Sequence, residues 1–93
     1  MTATITLRDV QQNALETAPD PGQGLHWSAA SERLLVIDLV DLKRNVLGWI
    51  ELTVRGWESI RLGQNSHTRT VHSEEEDPRL AMQALLFALK EGR

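Results

Sequence analysis

Two apolar runs, residues 33–40 and 46–54, flank the polar stretch 41–45 of this chain. Both runs contain β-branched residues, and a short polar segment between two such runs predicts a β-hairpin. Because side chains alternate along a strand, a loop over 42–45 makes both faces of the hairpin apolar. A sheet of this kind has to be covered on both faces, by other layers of the same chain or by a partner.

The expected register divides the hairpin into two faces. The first is expected to be core and consists of Leu35, Ile37, Leu39, Val46, Gly48, Ile50, Leu52 and Val54. The second is expected to be half covered and consists of Leu34, Val36, Asp38, Val40, Leu47, Trp49, Glu51 and Thr53. A helix from 28–32 through Arg44 is the alternative, because apolar residues in this segment also fit a helical stripe.

Helices are expected near both ends. Thr6 and Asp9 form a capping pattern and predict a helix from there to about Thr17, with a short strand over 3–7 as the alternative. Ile5 and Val10 are placed as a hydrophobic staple. A second helix is expected over 78–91, where Asp77 caps, Pro78 is tolerated at the first position and Gly92 stops the helix.

The remaining segments complete an α+β domain. Residues 19–32 are expected to be a loop, in which 25–28 pack on the domain without forming a full strand. A third strand over 58–62 is expected to turn Ile60 and Leu62 inward, and a polar fourth strand over 67–72 is expected at a sheet edge. Residues 1–93 thus form one domain, with an antiparallel sheet of three or four strands packed against the C-terminal helix, and with the N-terminal helix and the 19–32 loop, or a second subunit, on the other face.

The composition of the chain limits which kinds of function and location are expected. The chain has no cysteine, which excludes disulfides and thiolate metal sites and fits a reducing cytosol. No apolar window approaches the ~20 residues of a membrane span, and the N-terminus lacks the features of a signal peptide, so we expect a cytoplasmic protein. The net charge is −3, with acidic ends and a mildly basic middle over 43–72, which lowers the expectation of a nucleic-acid binder.

No residue pattern predicts an enzyme, a metal site or a cofactor. His67 and His72 are expected on opposite faces of a strand, and the acidic run 74–77 is expected to complement the helix that follows it. Asp38 and Glu51 share a hairpin face and could act as acid and base if buried together. The competing interpretation is that both are solvated, or that Asp38 pairs with a nearby arginine. Nucleophile and phosphate-loop motifs are absent from the sequence.

The second hairpin face predicts association. Burial of one large apolar side chain is worth about 1.5–3 kcal/mol, and monomers rarely leave a contiguous apolar patch in water. The C-terminal helix is apolar almost all round, which also predicts burial on more than one side. We therefore expect a non-catalytic protein-interaction module that forms a homodimer. The expected interface residues are Leu34, Val36, Val40, Leu47, Trp49 and Leu86.

A nucleic-acid-associated domain is the alternative. Strand alternation could bring Trp49, Trp57, Ser59 and Arg61 onto the half-covered face, where rings beside guanidinium groups can stack bases and neutralise phosphates. The same residues are enriched in protein interfaces, and both tryptophans could equally be core. The residues expected to contact nucleic acid are Lys43, Arg44, Arg55, Trp57, Arg61 and Arg69.

The C-terminal half resembles small phage-type ABA sandwich proteins in the order of its segments. Residues 48–52, 57–60, 67–73 and 78–86 follow the order strand, tryptophan-bearing strand, strand, acidic cap and Ala/Leu-rich helix. The half is also similar in order to antitoxin domains of the HicB type. The resemblance supports only a layered α/β arrangement and transfers no functional residue. The interaction module expected above is of bacterial or phage style.

Overall fold

The computed structural model describes residues 6–29, 33 and 35–92. In these residues, two α-helices and five strands follow one another, with a short 3₁₀ turn before the last strand. They are α1 (Leu7–Glu16), β1 (Leu25–Ser28), β2 (Val36–Asp41), β3 (Val46–Thr53), β4 (Gly56–Leu62), β5 (Thr68–Glu75) and α2 (Pro78–Lys90). The strands form one antiparallel sheet in the order β1-β2-β3-β4-β5. The expected α+β architecture is confirmed, with one strand more than the sequence predicted.

Both helices begin at the predicted caps. The Thr6 hydroxyl accepts a hydrogen bond from the Asp9 N–H at 3.1 Å, and the Asp9 carboxylate accepts one from the Thr6 N–H at 3.0 Å. The Asp77 carboxylate accepts from the Arg79 N–H at 2.9 Å at the start of α2, with Pro78 in the first position. These bonds satisfy donors that the first turn of a helix leaves free. Ile5, the other half of the expected staple, lies outside the described residues.

The β2–β3 hairpin has the predicted faces. Ile37 pairs with Ile50 and Leu39 with Gly48, and all four residues are buried. The register then shifts, so that Val40 pairs with Val46. The helical alternative for this segment is therefore wrong where the structure describes it. Val54 does not belong to the core as expected, because it lies in the β3–β4 turn and is fully exposed.

Both helices pack on the same face of the sheet. The core there consists of Ala14, Ile37, Ile50, Trp57, Ala81 and Met82. Gly48 and Ser59 lie beneath α2, where small side chains let the helix approach, and the Ser59 hydroxyl donates to the Ala81 carbonyl. This packing selects the face of β4 that bears Ser59. Ile60 and Leu62, which were expected to turn inward, lie on the other face, where Ile60 is buried and Leu62 is half-buried. The expectation that the N-terminal helix covers the other face was wrong.

The segment expected to be a loop contains the first edge strand. Leu25 pairs with Asp41 and Ser28 with Asp38, which makes β1 a regular antiparallel neighbour of β2. The Trp27 indole donates to the Pro19 carbonyl at 2.9 Å and ties the preceding loop to the strand. β5 forms the opposite edge, as predicted, and two register shifts in its pairing with β4 make it irregular.

Candidate functional site

The sheet face turned away from α1 and α2 carries most of the interface predicted from the sequence. Val36, Val40, Leu47 and Trp49 lie together on this face, because strand residues two apart and cross-strand partners share a face. Leu34 lies outside the described residues. Leu86 belongs to α2 and is half-buried on the other side of the sheet, near the loop that precedes β1. The predicted interface is therefore not one continuous surface.

This face is less open than the sequence suggested. Val36 is 3% exposed and Val40 is 8% exposed, and Ile60, the cross-strand partner of Trp49, is also buried. Leu47 and Trp49 are half-buried. The valines have little further apolar area to give to a partner, so the main argument for covering this face with a second subunit is weaker than expected.

Arg33, Trp49 and Asp38 form a cluster at the centre of the face. The Arg33 guanidinium lies 4.9 Å from the centroid of the Trp49 ring, and its Nη2 lies 3.2 Å from Oδ1 of Asp38. Burial raises the pKa of Asp38, and the charge of Arg33 offsets part of that rise. The interpretation that Asp38 pairs with an arginine is confirmed. Glu51 lies opposite Val36 rather than opposite Asp38, so the two carboxylates are not direct cross-strand neighbours.

The outer side of α2 carries apolar residues that the sequence reasoning did not select as a site. Leu80 is 43% exposed and Phe87 is 56% exposed, while Ala84 between them is half-buried. Their spacing of four and then three residues places them on one helix face. The opposite face packs on the sheet through Ala81, Met82, Leu85 and Ala88. That helical spacing is the signal from which this row could have been found.

A groove runs between this outer row and the edge strand β5. Its volume is about 330 Å³, and it is lined by Arg69, Thr70, Val71, His72, Ala84, Phe87 and Ala88. The His72 imidazole Nε2 lies 3.0 Å from the Glu75 carboxylate, and the hydrogen bond to His72 is the main reason that the pKa of Glu75 is lowered. The groove therefore has apolar walls and a polar rim, as interaction surfaces commonly do.

The residues expected to contact nucleic acid do not form one patch. In an antiparallel meander the β2–β3 and β4–β5 turns lie at one end of the sheet, and the β3–β4 turn lies at the other. Lys43 and Arg44 are thus at the same end of the sheet as the β4–β5 turn, next to which Arg61 and Arg69 pair. Arg55 lies at the opposite end, 3.9 Å from Glu74.

Trp57 does not belong to a nucleic-acid surface. It is 3% exposed and packs in the core beneath the helices, so its ring has no free face for a base. Trp49 lies on the opposite face of the sheet, because Trp57 pairs with Leu52, an odd number of residues from Trp49. The interpretation of the tryptophans as core residues is confirmed for Trp57, and the alternative that both share the half-covered face is wrong.

Neither a metal cluster nor a membrane span is found in the described residues. No three histidine, aspartate or glutamate side chains of residues 6–29, 33 and 35–92 come together as a potential metal site. Neither α1 nor α2 has the length and apolar character needed to cross a bilayer.

Comparisons with protein-family models, with curated proteins and with solved structures found no match. The resemblance to phage-type ABA sandwich proteins and to antitoxin domains of the HicB type stays a prediction.

Proposed function

We propose that this protein is a non-catalytic protein-interaction module, cytoplasmic and of bacterial or phage type, and that it forms a homodimer through the outer side of α2. The observation that carries the proposal is the row of Leu80, Ala84 and Phe87, in which Leu80 and Phe87 are exposed and which borders the groove beside β5. Solvent-facing helix positions are normally polar, and a helix that is apolar on two sides is normally buried on both.

A second copy of the chain fits this row. Leu80 and Phe87 lie at equal sequence distances from the midpoint between Gln83 and Ala84. When two α2 helices pack antiparallel about a two-fold axis through that midpoint, Leu80 of each copy faces Phe87 of the other. The small side chain of Ala84 at the centre lets the helices approach closely. The row is therefore self-complementary, as a two-fold interface requires.

The charges at the ends of α2 fit the same arrangement. Asp77 of one copy falls opposite Lys90 of the other, and the two helix dipoles run in opposite directions. Glu76 falls opposite Glu91, which offsets part of this gain. The apolar contacts therefore supply most of the expected affinity, and the charges favour the antiparallel orientation.

The test is the solution mass, measured by light scattering over a roughly hundredfold range of concentration. The variant Leu80→Glu removes one leucine from each side of the dimer. At about 1.5 kcal/mol or more for each buried leucine, the dissociation constant should rise at least about 100-fold. Leu42→Glu is the matched control, because Leu42 is 83% exposed in the β2–β3 turn and does not belong to the row of Leu80, Ala84 and Phe87.

A second variant distinguishes an interface on α2 from an interface on the sheet face that bears Trp49. Leu47→Glu places a charge on the sheet face that bears Trp49, and it should leave the α2-mediated dimer intact. If Leu47→Glu dissociates the dimer and Leu80→Glu does not, the interface is the sheet face and the α2 proposal is wrong. A monomeric wild-type protein at the highest concentration measured would also contradict the proposal.

A further inference from the structure

We infer that the protein binds a phosphate group at the end of the β4–β5 hairpin, in a groove formed by Arg61, Arg69 and His67. This site lies at the end of the hairpin and shares Arg69 with the groove beside the outer row of α2. The inference does not rest on dimer formation.

The first observation is a pair of like charges. Arg61 and Arg69 are direct cross-strand partners in β4 and β5. Like charges directly opposite one another in a sheet are destabilising. The ion pairs within the described part of the chain involve Arg33, Arg55 and His72, so neither partner of this pair is neutralised by an acidic side chain there. An anion between the two guanidinium groups would convert their repulsion into attraction.

The second observation is the space beside the pair. Both arginines line an open groove of about 350 Å³, which is large enough for a phosphate group. Among the described residues, the lining is Arg61, Gly63, Gln64, His67, Thr68, Arg69 and Gly92. The two glycines have no side chains that could close the groove, while the glutamine and the threonine add uncharged hydrogen-bond donors. None of the described residues that line this groove is acidic.

The third observation is the hydrogen bonding of Arg61. Its Nη1 donates to the Ala88 carbonyl at 3.5 Å, which holds the guanidinium against the last turn of α2. Its Nε is buried and has no acceptor among the described residues. Because Nε is closed to solvent, an anion in the groove would contact the other N–H groups of this guanidinium, for which an oxyanion oxygen is a well-matched acceptor.

The charge of the site favours phosphate over a carboxylate. Two arginines, with a histidine beside them, match a group that carries up to two negative charges and several acceptor oxygens. Lys43 and Arg44 lie at the same end of the sheet and extend the positive potential beyond the groove. A phosphate of a nucleic-acid backbone would use that extension, whereas inorganic phosphate would need the groove alone.

The experiment is a titration at low salt, followed through the backbone amide resonances of residues 61–69. Inorganic phosphate is one probe and a short oligothymidine is the other. Arg69→Gln should weaken binding of either probe by about tenfold, because it removes a charge-assisted hydrogen bond. Arg55→Gln is the matched control, since Arg55 is an exposed arginine at the opposite end of the sheet. It should change the affinity by less than about twofold.

Each result of this titration leads to a different conclusion about the ligand. Tighter binding of oligothymidine than of phosphate, weakened further by Arg44→Gln and by salt, would identify a nucleic-acid backbone as the source of the phosphate. Binding of inorganic phosphate without binding of oligothymidine would identify a small phosphorylated ligand. No shift at residues 61–69 with either probe would overturn the inference, and so would an affinity that Arg69→Gln leaves unchanged. Light scattering on the same variants reports the dimer independently, so the two proposals can fail separately.

Discussion

A Cβ atom on Gly48 would lie 2.9 Å from Cδ1 of Leu85 in α2 and 2.6 Å from the carbonyl oxygen of Ile60. The carbonyl belongs to the backbone of β4 and has little freedom to move. Gly48→Ala should therefore destabilise the domain by about 1–3 kcal/mol, the usual cost of overpacking a core. Urea unfolding followed by tryptophan fluorescence measures the difference.

Gly63→Ala is the control for this change. A Cβ on Gly63 would meet only the His67 carbonyl oxygen at 3.5 Å, which is an ordinary contact, and the backbone of Gly63 is extended. Its stability should stay equal to that of the wild type or rise by up to about 1 kcal/mol, because alanine restricts the unfolded chain. Equal stabilities of the two alanine variants would mean that α2 does not pack on Gly48 as described.

The connection between α1 and the sheet gives a second prediction. Gln11 is buried, and its Nε2 donates to the Val36 carbonyl at 2.8 Å. Gln11→Met keeps most of the side-chain volume and removes the donor, so the variant should lose about 1–3 kcal/mol of stability. Hydrogen exchange should show faster exchange of the α1 amides, while the exposed neighbour Gln12→Met should leave them unchanged. Unchanged α1 exchange in Gln11→Met would show that this bond does not hold the helix.

The elements that local signals determine could be predicted from the sequence. Thr6 with Asp9, and Asp77 with Pro78, mark helix starts within a few residues, and both helices begin there. The alternation in β2 and β3 likewise identified the buried face that contains Ile37 and Ile50. These patterns succeed because the residues that decide the structure are close to one another in the chain.

The parts that failed depend on contacts between distant segments. β1 has only four residues after a loop of prolines and glycines, and its pairing with β2 makes it a strand. The inward face of β4 depends on Ser59 lying beneath Ala81 of α2, which no pattern within the strand shows.

The candidate sites also depend on how separate segments of the chain pack together. The Arg61–Arg69 pair depends on the length of the β4–β5 turn, which sets the register of these residues, and both register shifts lie farther from the turn. The row of Leu80 and Phe87 becomes a surface only once the opposite side of α2 is known to pack on the sheet.

The buried carboxylate of Asp38 gives a third prediction. Burial raises its pKa above the ordinary value of 3.8 despite the contact with Arg33. The stability associated with the protonated form is fully present below pH 3.8 and is lost as the pH rises through the folded-state pKa. Asp38→Asn, which stays neutral, should therefore be more stable than the wild type at pH 7. The difference in the free energy of unfolding between the two proteins should become smaller as the pH falls and should stay constant below pH 3.8.

Unfolding curves over this pH range test the prediction. Arg33 is half exposed, so water can solvate its charge when Asp38 is replaced. Lower stability of Asp38→Asn at pH 7 would show that the ion pair outweighs the cost of burying the carboxylate, which is the opposite of the direction expected from the raised pKa.

Glu75 should show the reverse dependence on pH. Its pKa is lowered from 4.5, first by the hydrogen bond to His72 and then by the N–H of Asp77. The stability that these bonds give is present above pH 4.5 and is lost as the pH falls through the folded-state pKa. Glu75→Gln should be less stable than the wild type at pH 7, and the difference should disappear in acid.

The exposed neighbour Glu76→Gln is the matched control for Glu75→Gln, because it makes the same change of charge beside the start of α2. The two variants share any effect of charge on the helix dipole, so the excess loss in Glu75→Gln reports the bonds to His72 and Asp77. If both variants lose the same stability at pH 7, those bonds contribute nothing beyond the charge. A larger loss in Glu75→Gln that vanishes below pH 4.5 would show that this carboxylate fastens the end of β5 to the cap of α2.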